Sequence, residues 1–324
     1  MSAAPSTLAV VIVNYNTRER TLECIESVAA QRIPGCEIVV VDNGSTDGSV
    51  EAFRTARPEI VVIDAADNLG FARGVNVGVA ASTSAYVLLL NPDTTVLPGA
   101  LEALLEFAIA QPAHGVYGGR TLRQDGSLDP SSCWGAPSLW SLFCFATGLS
   151  TAFKRSAVFD PESLGSWQRD TVREVPVVTG CLLLARRTDW DQIGGMDERF
   201  FLYGEDAEFS QRAIAKGFHP VIVPQATIVH DVGASTGSSG FKMCMVMAGK
   251  TTFLRQQWRR PAATLGVFFL LAGTGLRTLL EAAARGRKTK SWTIVWKRRA
   301  DWLPGYPRAE ATLFGRVPAA ELNA

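Results

Sequence analysis

Apolar positions along the chain fall into short unbroken runs separated by stretches of helical spacing, with turn-rich segments between them. Residues 8–13, LAVVIV, form a continuous β-branched run of the kind expected of a buried parallel strand. Thr17 is placed to cap the helix that follows, in which Leu22, Ile25, Val28 and Ala29 recur at helical spacing until Pro34 and Gly35 end it. A second strand over 37–41 runs into Asp42, and Asp47 or Ser49 is positioned to cap a helix over 50–56. A strand over 60–63, a helix over 71–81 and a strand over 86–90 complete a β-α-β-α-β-α-β alternation. That order predicts a parallel sheet wrapped by helices, with ligands received at the carboxyl ends of its strands.

Regularity then lapses. Residues 124–170 are rich in Gly, Ser, Pro and Trp, without clear periodicity, and predict loops with at most a short helix. A strand-like run over 175–185 is broken by Thr179 and Gly180. Thr188 or Asp189 opens a short helix, 205–216 forms another, and strands over 219–223 and 226–229 end at His230. No internal repeat is present.

The 324 residues are 47% hydrophobic, ample for one large core or two modest ones. The six cysteines form no CxxC pair or zinc-like spacing, and several sit in apolar runs, as expected of reduced core residues in a cytosolic protein. No basic, apolar leader precedes the first strand, which argues against secretion. The net charge of +1 conceals a division: residues 1–240 carry 17 Lys+Arg against 27 Asp+Glu, and residues 241–324 carry 15 against 4. The segments are therefore −10 and +11. The body is set for chemistry, and the tail for an anionic partner, either phospholipid head groups or nucleic acid.

Two acids stand directly beyond buried strands, Asp42 in VVVDNGS and Asp93 in LLLNPD. A carboxylate in the first position can accept the imide N–H of uracil or thymine. One in the second can hold Mg2+ or Mn2+, hard cations that take carboxylate oxygen and leave positions open for phosphate. Taken singly, DNG and NPD are equally ordinary turn tripeptides. Glu205 and Asp206 open a helix, where acids favour the positive end of its dipole by about 0.3–1 kcal/mol. Gly180, between Thr179 and Cys181, fits either a wall where backbone approaches a bound sugar or a simple bulge.

In sequence order, VVIVNYNTRERTLECIESV, VVVDNGSTDGS, NLGFARGVNVGV, LLLNPDT, VTGCLLLARR, GGMDERFFLYGEDAEFSQR and VHDVGAS resemble the successive motifs of family 2 glycosyltransferases over about residues 8–240. Within that family the resemblance is to bacterial rhamnosyltransferases and galactofuranosyltransferases, including the mycobacterial type that adds rhamnose from dTDP-rhamnose to decaprenyl-diphosphate-GlcNAc. It implies the GT-A fold, an α/β, Rossmann-like, mostly parallel central sheet with helices on both faces. It also implies domain bounds: a catalytic domain over 1–240, with a nucleotide-binding half (1–120) and an acceptor half (121–240), then a basic amphipathic helical region over 241–324.

The implied activity is inverting, metal-dependent transfer from a dTDP- or UDP-sugar to a polyprenyl-diphosphate-linked acceptor. The implied roles follow residue by residue. Asn16 and Asp42 line the base and ribose pocket, Asn68 and Arg73 reach the nucleotide or its phosphates, and Asn91 and Gly180 belong to the donor site. Because Asn91 stands first in the acidic motif, only Asp93 remains as a carboxylate ligand, and His230 is the implied second metal ligand. Asp206 is the implied base, with Glu205 beside it orienting acceptor or helix. A nucleotidyltransferase would instead place a Gly-rich phosphate loop where NYNTRER stands.

The tail carries an uncharged run over 262–276, shorter than the ~20 residues of a spanning helix and closed by Arg277. Cations at Arg255, Arg259, Arg260, Arg285, Arg287, Lys288 and Lys290 and aromatics at Trp292 and Trp296 flank it, a composition suited to the head-group layer. The same pattern suits helices packed on the body or pairing two chains into a homodimer. No nucleic-acid-binding motif accompanies the charge. The expected location is peripheral, at the cytoplasmic face of the plasma membrane.

Overall fold

The computed structural model describes residues 7–230, 239–284 and 291–314. The final motif beyond His230 and the tail cations Arg285, Arg287, Lys288 and Lys290 lie outside the described residues. The strands are β1 (Leu8–Asn14), β2 (Cys36–Asp42), β3 (Val61–Asp64), β4 (Tyr86–Leu90), β5 (Thr94–Val96), β6 (Val116–Leu122), β7 (Cys133–Trp134), β8 (Arg173–Glu174), β9 (Val177–Val178), β10 (Leu182–Arg186) and β11 (Val221–His230). The helices are α1 (Arg18–Ala29), α2 (Ser49–Ala56), α3 (Phe71–Ala80), α4 (Ala100–Ala110), α5 (Leu139–Thr147), α6 (Leu149–Ala152), α7 (Arg187–Ile193), α8 (Glu205–Ala215), α9 (Ser239–Gln257), α10 (Arg260–Ala283), α11 (Ser291–Lys297), α12 (Arg299–Trp302) and α13 (Arg308–Phe314).

The chain forms two compact units that interleave in sequence. The first comprises Met1–Trp134, Gln168–Asp197 and Phe209–Ser235. Among its described residues is a nine-stranded sheet in the order β3-β2-β1-β4-β10-β6-β11-β5, with β8 paired to β11. The strands β3, β2, β1 and β4 are mutually parallel, as their apolar runs predict. Strand β10 runs antiparallel to both β4 and β6, and β11 returns parallel to β6. The carboxyl ends of β2, β1, β4, β6 and β11 therefore share one edge of the sheet.

Packed on this sheet is a core that includes Ile12, Ile25, Val40, Phe53, Leu88 and Leu104. Burying each such side chain stabilises by about 1.5–3 kcal/mol. Thr17 stands at the start of α1 but makes no cap; its hydroxyl goes to Asn14 Oδ1 instead. The two strands expected over 219–223 and 226–229 are one strand, β11, whose register against β6 shifts between Val223 and Thr227. Pro224 sits in that irregularity, where its missing N–H costs no ladder bond.

Opposite the shift lies Gly119, where an added Cβ would stand 2.0 Å from the Ala226 carbonyl oxygen and 2.4 Å from Leu182 Cδ2. Gly119→Ala is expected to destabilise the protein by on the order of 3 kcal/mol, since backbone has to move to admit the methyl. A urea unfolding midpoint unchanged from wild type would contradict this close approach.

The second unit comprises Gly135–Trp167, Glu198–Glu208 and Thr236–Ala324, so the basic tail shares its core with two earlier segments. Phe200, Phe201, Cys244, Met247, Leu254 and Trp302 are buried together in it. Helix α10 packs along α5, with α9 and α11 also against it. Arg277 ends the uncharged run but not the helix, which continues to Ala283, and its 24 residues are long and apolar enough to cross a bilayer by length and composition. The six cysteines are free thiols, all buried except half-buried Cys36.

Candidate active site

At the shared edge of the first unit, the β1–β2 register sets Asn14 opposite Asp42. Asn14, which sequence reading did not single out, organises this corner. Its Nδ2 donates to Asp42 Oδ2 at 2.6 Å and to Ser45 Oγ at 3.0 Å, and its Oδ1 accepts the Thr17 and Thr21 hydroxyls, each at 2.8 Å. Asp42 is fully buried, and its other oxygen accepts the Ser45 N–H at 2.8 Å. Asn16 is exposed in a left-handed conformation, φ 53°, where its Oδ1 accepts the Thr46 N–H at 2.8 Å. These bonds fasten the DNGST loop to the end of β1.

Asn68 and Arg73 flank the start of α3. The Asn68 Oδ1 accepts the Gly70 N–H at 2.9 Å, and Asn43 Nδ2 reaches the Gly70 carbonyl at 2.9 Å. Half-buried Arg73 lies in the first turn of the helix. Asn91 follows β4 and spends its amide on Cys181, Nδ2 to Sγ at 3.3 Å. Next to Cys181, Gly180 faces Phe71, whose ring carbons would stand 2.9 Å from an added Cβ. The absent side chain therefore has a packing reason at this position.

The short strand β5 pairs antiparallel with β11, Thr94 opposite His230, and so brings Asp93 to a histidine 137 residues further along. His230 Nε2 lies 3.3 Å from Asp93 Oδ1, and His230 Nδ1 lies 3.1 Å from Asp129 Oδ2. All three side chains are buried. Asp129 caps the turn Pro130–Ser132, its Oδ1 accepting the Ser131 N–H at 3.1 Å. Burial by itself would push the imidazole pKa down, but hydrogen bonds to Asp129 and Asp93 and the charge of both carboxylates outweigh it and raise it to about 9. Although burial pushes Asp129 up, His230 and the Ser131 N–H hold its carboxyl below the usual range.

An imidazole with Nδ1 against one carboxylate and Nε2 towards a second has the arrangement typical of a metal-ligating histidine, in which a cation at Nε2 would take the place of the proton there. With Asp129 spent on orienting the ring, Asp93 and His230 are the two donors that fit a divalent cation. Among the described residues no three His, Cys, Asp or Glu side chains are grouped as a complete metal site. Asp93 also walls an open cleft of about 240 Å³ shared with Arg20, Glu23, Thr95, Gln124 and Val229. Asp129 was absent from the sequence reading; Asp-Pro marks a turn, but nothing local in it indicates the histidine partner.

Glu205 and Asp206 begin α8, in the second unit. Asp206 is half-buried, its Oδ1 accepting the Ala207 N–H at 2.8 Å. Glu205 is buried, and its Oε2 has no hydrogen-bond partner among the described residues. Burial, reinforced by the Asp206 charge, pushes the Glu205 carboxyl up to about 8, so it is mostly neutral at pH 7.

A carboxyl whose pKa is raised on folding contributes stability that is complete below its unfolded value of 4.5 and is lost as pH rises through about 8. Glu205→Gln is therefore expected to gain stability over wild type as pH rises, reaching on the order of a few kcal/mol by about pH 9. Urea unfolding at about pH 5 and about pH 9 tests it, and a mutant-to-wild-type difference independent of pH would count against a buried neutral carboxyl.

Residues 9–162 match the family model "Glycosyl transferase family 2", and residues 168–232 match "N-terminal domain of galactosyltransferase". The chain is 29% identical over 248 residues to the N-acetylglucosaminyl-diphospho-decaprenol L-rhamnosyltransferase of Mycobacterium tuberculosis, covering 71% of this chain and 78% of that protein. It is 26% identical over 230 residues to the O-antigen biosynthesis protein RfbC of Myxococcus xanthus, covering 69% of this chain and 17% of that one. Among solved structures, the mannosyltransferase PcManGT from Pyrobaculum calidifontis in complex with GDP-Man and Mn2+ superposes with a TM-score of 0.57 at 15% identity, covering 97% of this chain and 89% of that one. GalNAc-T7 with UDP, GalNAc and Mn2+ gives a TM-score of 0.54 at 15% identity, covering 78% of this chain and 51% of that one. At such identity the structural likeness establishes the fold.

Proposed function

Because the chain carries a glycosyltransferase family 2 domain and is a glycosyltransferase, we propose that it transfers L-rhamnose, with inversion, from dTDP-rhamnose to a polyprenyl-diphosphate-linked GlcNAc at a membrane surface. The observation that carries the metal-dependent part of this reading is the Asp93–His230–Asp129 chain at the sheet edge where nucleotides bind in folds of this kind. Asp93 Oδ1 and His230 Nε2 would hold Mg2+ or Mn2+. When bound, the cation supplies neutralisation of the charge developing on the departing nucleoside diphosphate. Manganese and a nucleotide or nucleotide sugar are bound by the two structural neighbours, which is in keeping with that assignment.

The chain's own residues supply the rest. Asp42, braced by Asn14 and Ser45, and Asn16 form the base and ribose end, with the Asp42 carboxylate assigned to the imide N–H shared by thymine and uracil. Asn68 and Arg73 serve the nucleotide or its phosphates, and Asn91 and Gly180 the donor sugar's side. In an inverting transfer the acceptor hydroxyl attacks the anomeric carbon opposite the leaving group, and its proton passes to a base. That base is Asp206, which is half-buried at the start of α8, whereas Glu205 beside it is buried. No covalent enzyme intermediate is required.

Incubation of the purified chain with dTDP-rhamnose or UDP-hexoses, either metal, and a polyprenyl-diphosphate-GlcNAc, with products read by mass spectrometry, tests the proposal. Rhamnose transfer is the expected result. Transfer only from a UDP-sugar would replace the donor, and no transfer from any donor by folded protein would overturn the activity.

A further inference from the structure

Helix α10 is built inside out. Beyond its first residue it carries two charges, Arg277 and Glu281, and each is only 8% exposed. The Arg277 guanidinium lies 3.9 Å from the Phe145 ring centroid and donates to the Phe145 carbonyl at 2.6 Å, the Gly273 carbonyl at 3.1 Å and Thr151 Oγ1 at 2.8 Å. Glu281 accepts the backbone N–H of Trp292 at 3.0 Å and that of Thr293 at 2.9 Å. The outward face instead presents Leu265, Phe268, Leu279 and Leu280, with Phe268 59% and Leu279 70% exposed. A helix facing water shows the opposite distribution.

This face continues onto neighbouring segments. Ring contacts run unbroken from Phe268 to Phe269, Phe143, Trp140, Phe159 and Phe153, at centroid distances of 5.1–6.4 Å. Trp140 and Phe153 are about half exposed, at 47% and 51%. The Trp140 indole N–H is already spent on the Val158 carbonyl at 2.6 Å, so the exposed part of the ring is apolar. Lys154, Arg155, Arg259 and Arg260 are exposed beside these segments. Across residues 139–158 and 259–284 the one acid is the buried Glu281.

We propose that this face, the outward stripe of α10 with the rings of α5 and residues 153–159, seats itself in an anionic phospholipid bilayer, its cations on the head groups and its side chains among the acyl chains. The inference deepens the membrane-surface part of the proposed function and rests on it. A second copy of the chain fits less well, because a two-fold contact would set this acid-free face, with its cations, against itself. Helix α10 lies along the interface and does not cross it. Its inward side is covered by α5, α9 and α11, and α9 brings Lys242, Lys250 and Arg255, which restrict lipid to the outward stripe.

The test is sedimentation of the full chain with phosphatidylcholine vesicles containing about 30% phosphatidylglycerol and with vesicles of phosphatidylcholine alone. Wild type is expected to bind the anionic vesicles. The Phe268→Asp/Leu279→Asp variant should lose at least about tenfold in affinity and keep its thermal melt, since both side chains point away from the core. Trp140→Asp, checked the same way, extends the test to α5. Wild-type binding undiminished in these variants overturns the assigned face and leaves the membrane reading standing; no wild-type binding overturns both. A wild-type dimer that ignores vesicles and dissociates in the variants would give the face to a second copy.

Discussion

Asp206→Asn is expected to lower kcat by about 10²- to 10⁴-fold, the range that a positioned general base contributes, with donor affinity changed by no more than about twofold. Asparagine keeps the shape of the side chain and can still accept the Ala207 N–H through its amide oxygen, as Asp206 does at 2.8 Å. What it loses is the capacity to take up the acceptor's proton. Glu205→Gln separates the two acids: a carboxyl already neutral at pH 7 has no proton to gain, so its amide should retain most of kcat. Steady-state kinetics of both variants, with donor binding measured by calorimetry, decides the matter. Full turnover by Asp206→Asn would remove it as the base.

Much of the scaffold was legible because β1, β2 and β4 are apolar runs whose identity does not depend on distant partners. The same independence is missing elsewhere. Helix α5, LWSLFCFAT, lies in the stretch expected to be mainly loops; it is apolar almost all round, burying Leu142 and Cys144 while exposing Trp140 and Phe143, so no polar face marks its period. Pro224 and the register shift beside it make one strand read as two. The helical extent of α10 was hidden for a related reason: Arg277 resembles a boundary until Phe145 and Thr151 are found around its guanidinium.

Among the candidate site residues, single positions could be picked out from the sequence and their connections could not. An aspartate beyond a strand stands out locally, although DNG or NPD taken singly is equally an ordinary turn, whereas the short β5 pairs with β11 through a non-local register that no spacing encodes. Asn14 and Asp129 escaped notice because their value lies in what they hold, Asp42 and His230 respectively. A buried asparagine ending a β-branched run, with Thr17 and Thr21 following at helical spacing, was the available local signal for the first.

The divalent-cation assignment is most directly tested by Mn2+ binding in the presence of dTDP, read by calorimetry without turnover. Asp93→Asn is expected to weaken binding by at least about 100-fold, because it replaces the one carboxylate ligand by an amide, a poorer donor to a hard cation. Asp129 holds His230 through one oxygen and caps the turn Pro130–Ser132 through the other, so its variants are read by Mn2+ affinity beside the thermal melt. Asp129→Leu should weaken Mn2+ binding by about 10- to 100-fold, the usual consequence of losing the partner of a ligating histidine. Asp129→Asn keeps an oxygen for the Nδ1–H that now lies 3.1 Å from Asp129 Oδ2, and should fall between Leu and wild type. A merely structural role would instead shift the thermal melt of both variants and leave the Mn2+ isotherm in place. Equal Mn2+ affinity in wild type, Asp93→Asn and Asp129→Leu would dissolve the proposed site, since it would separate the cation both from Asp93 and from the carboxylate that holds His230.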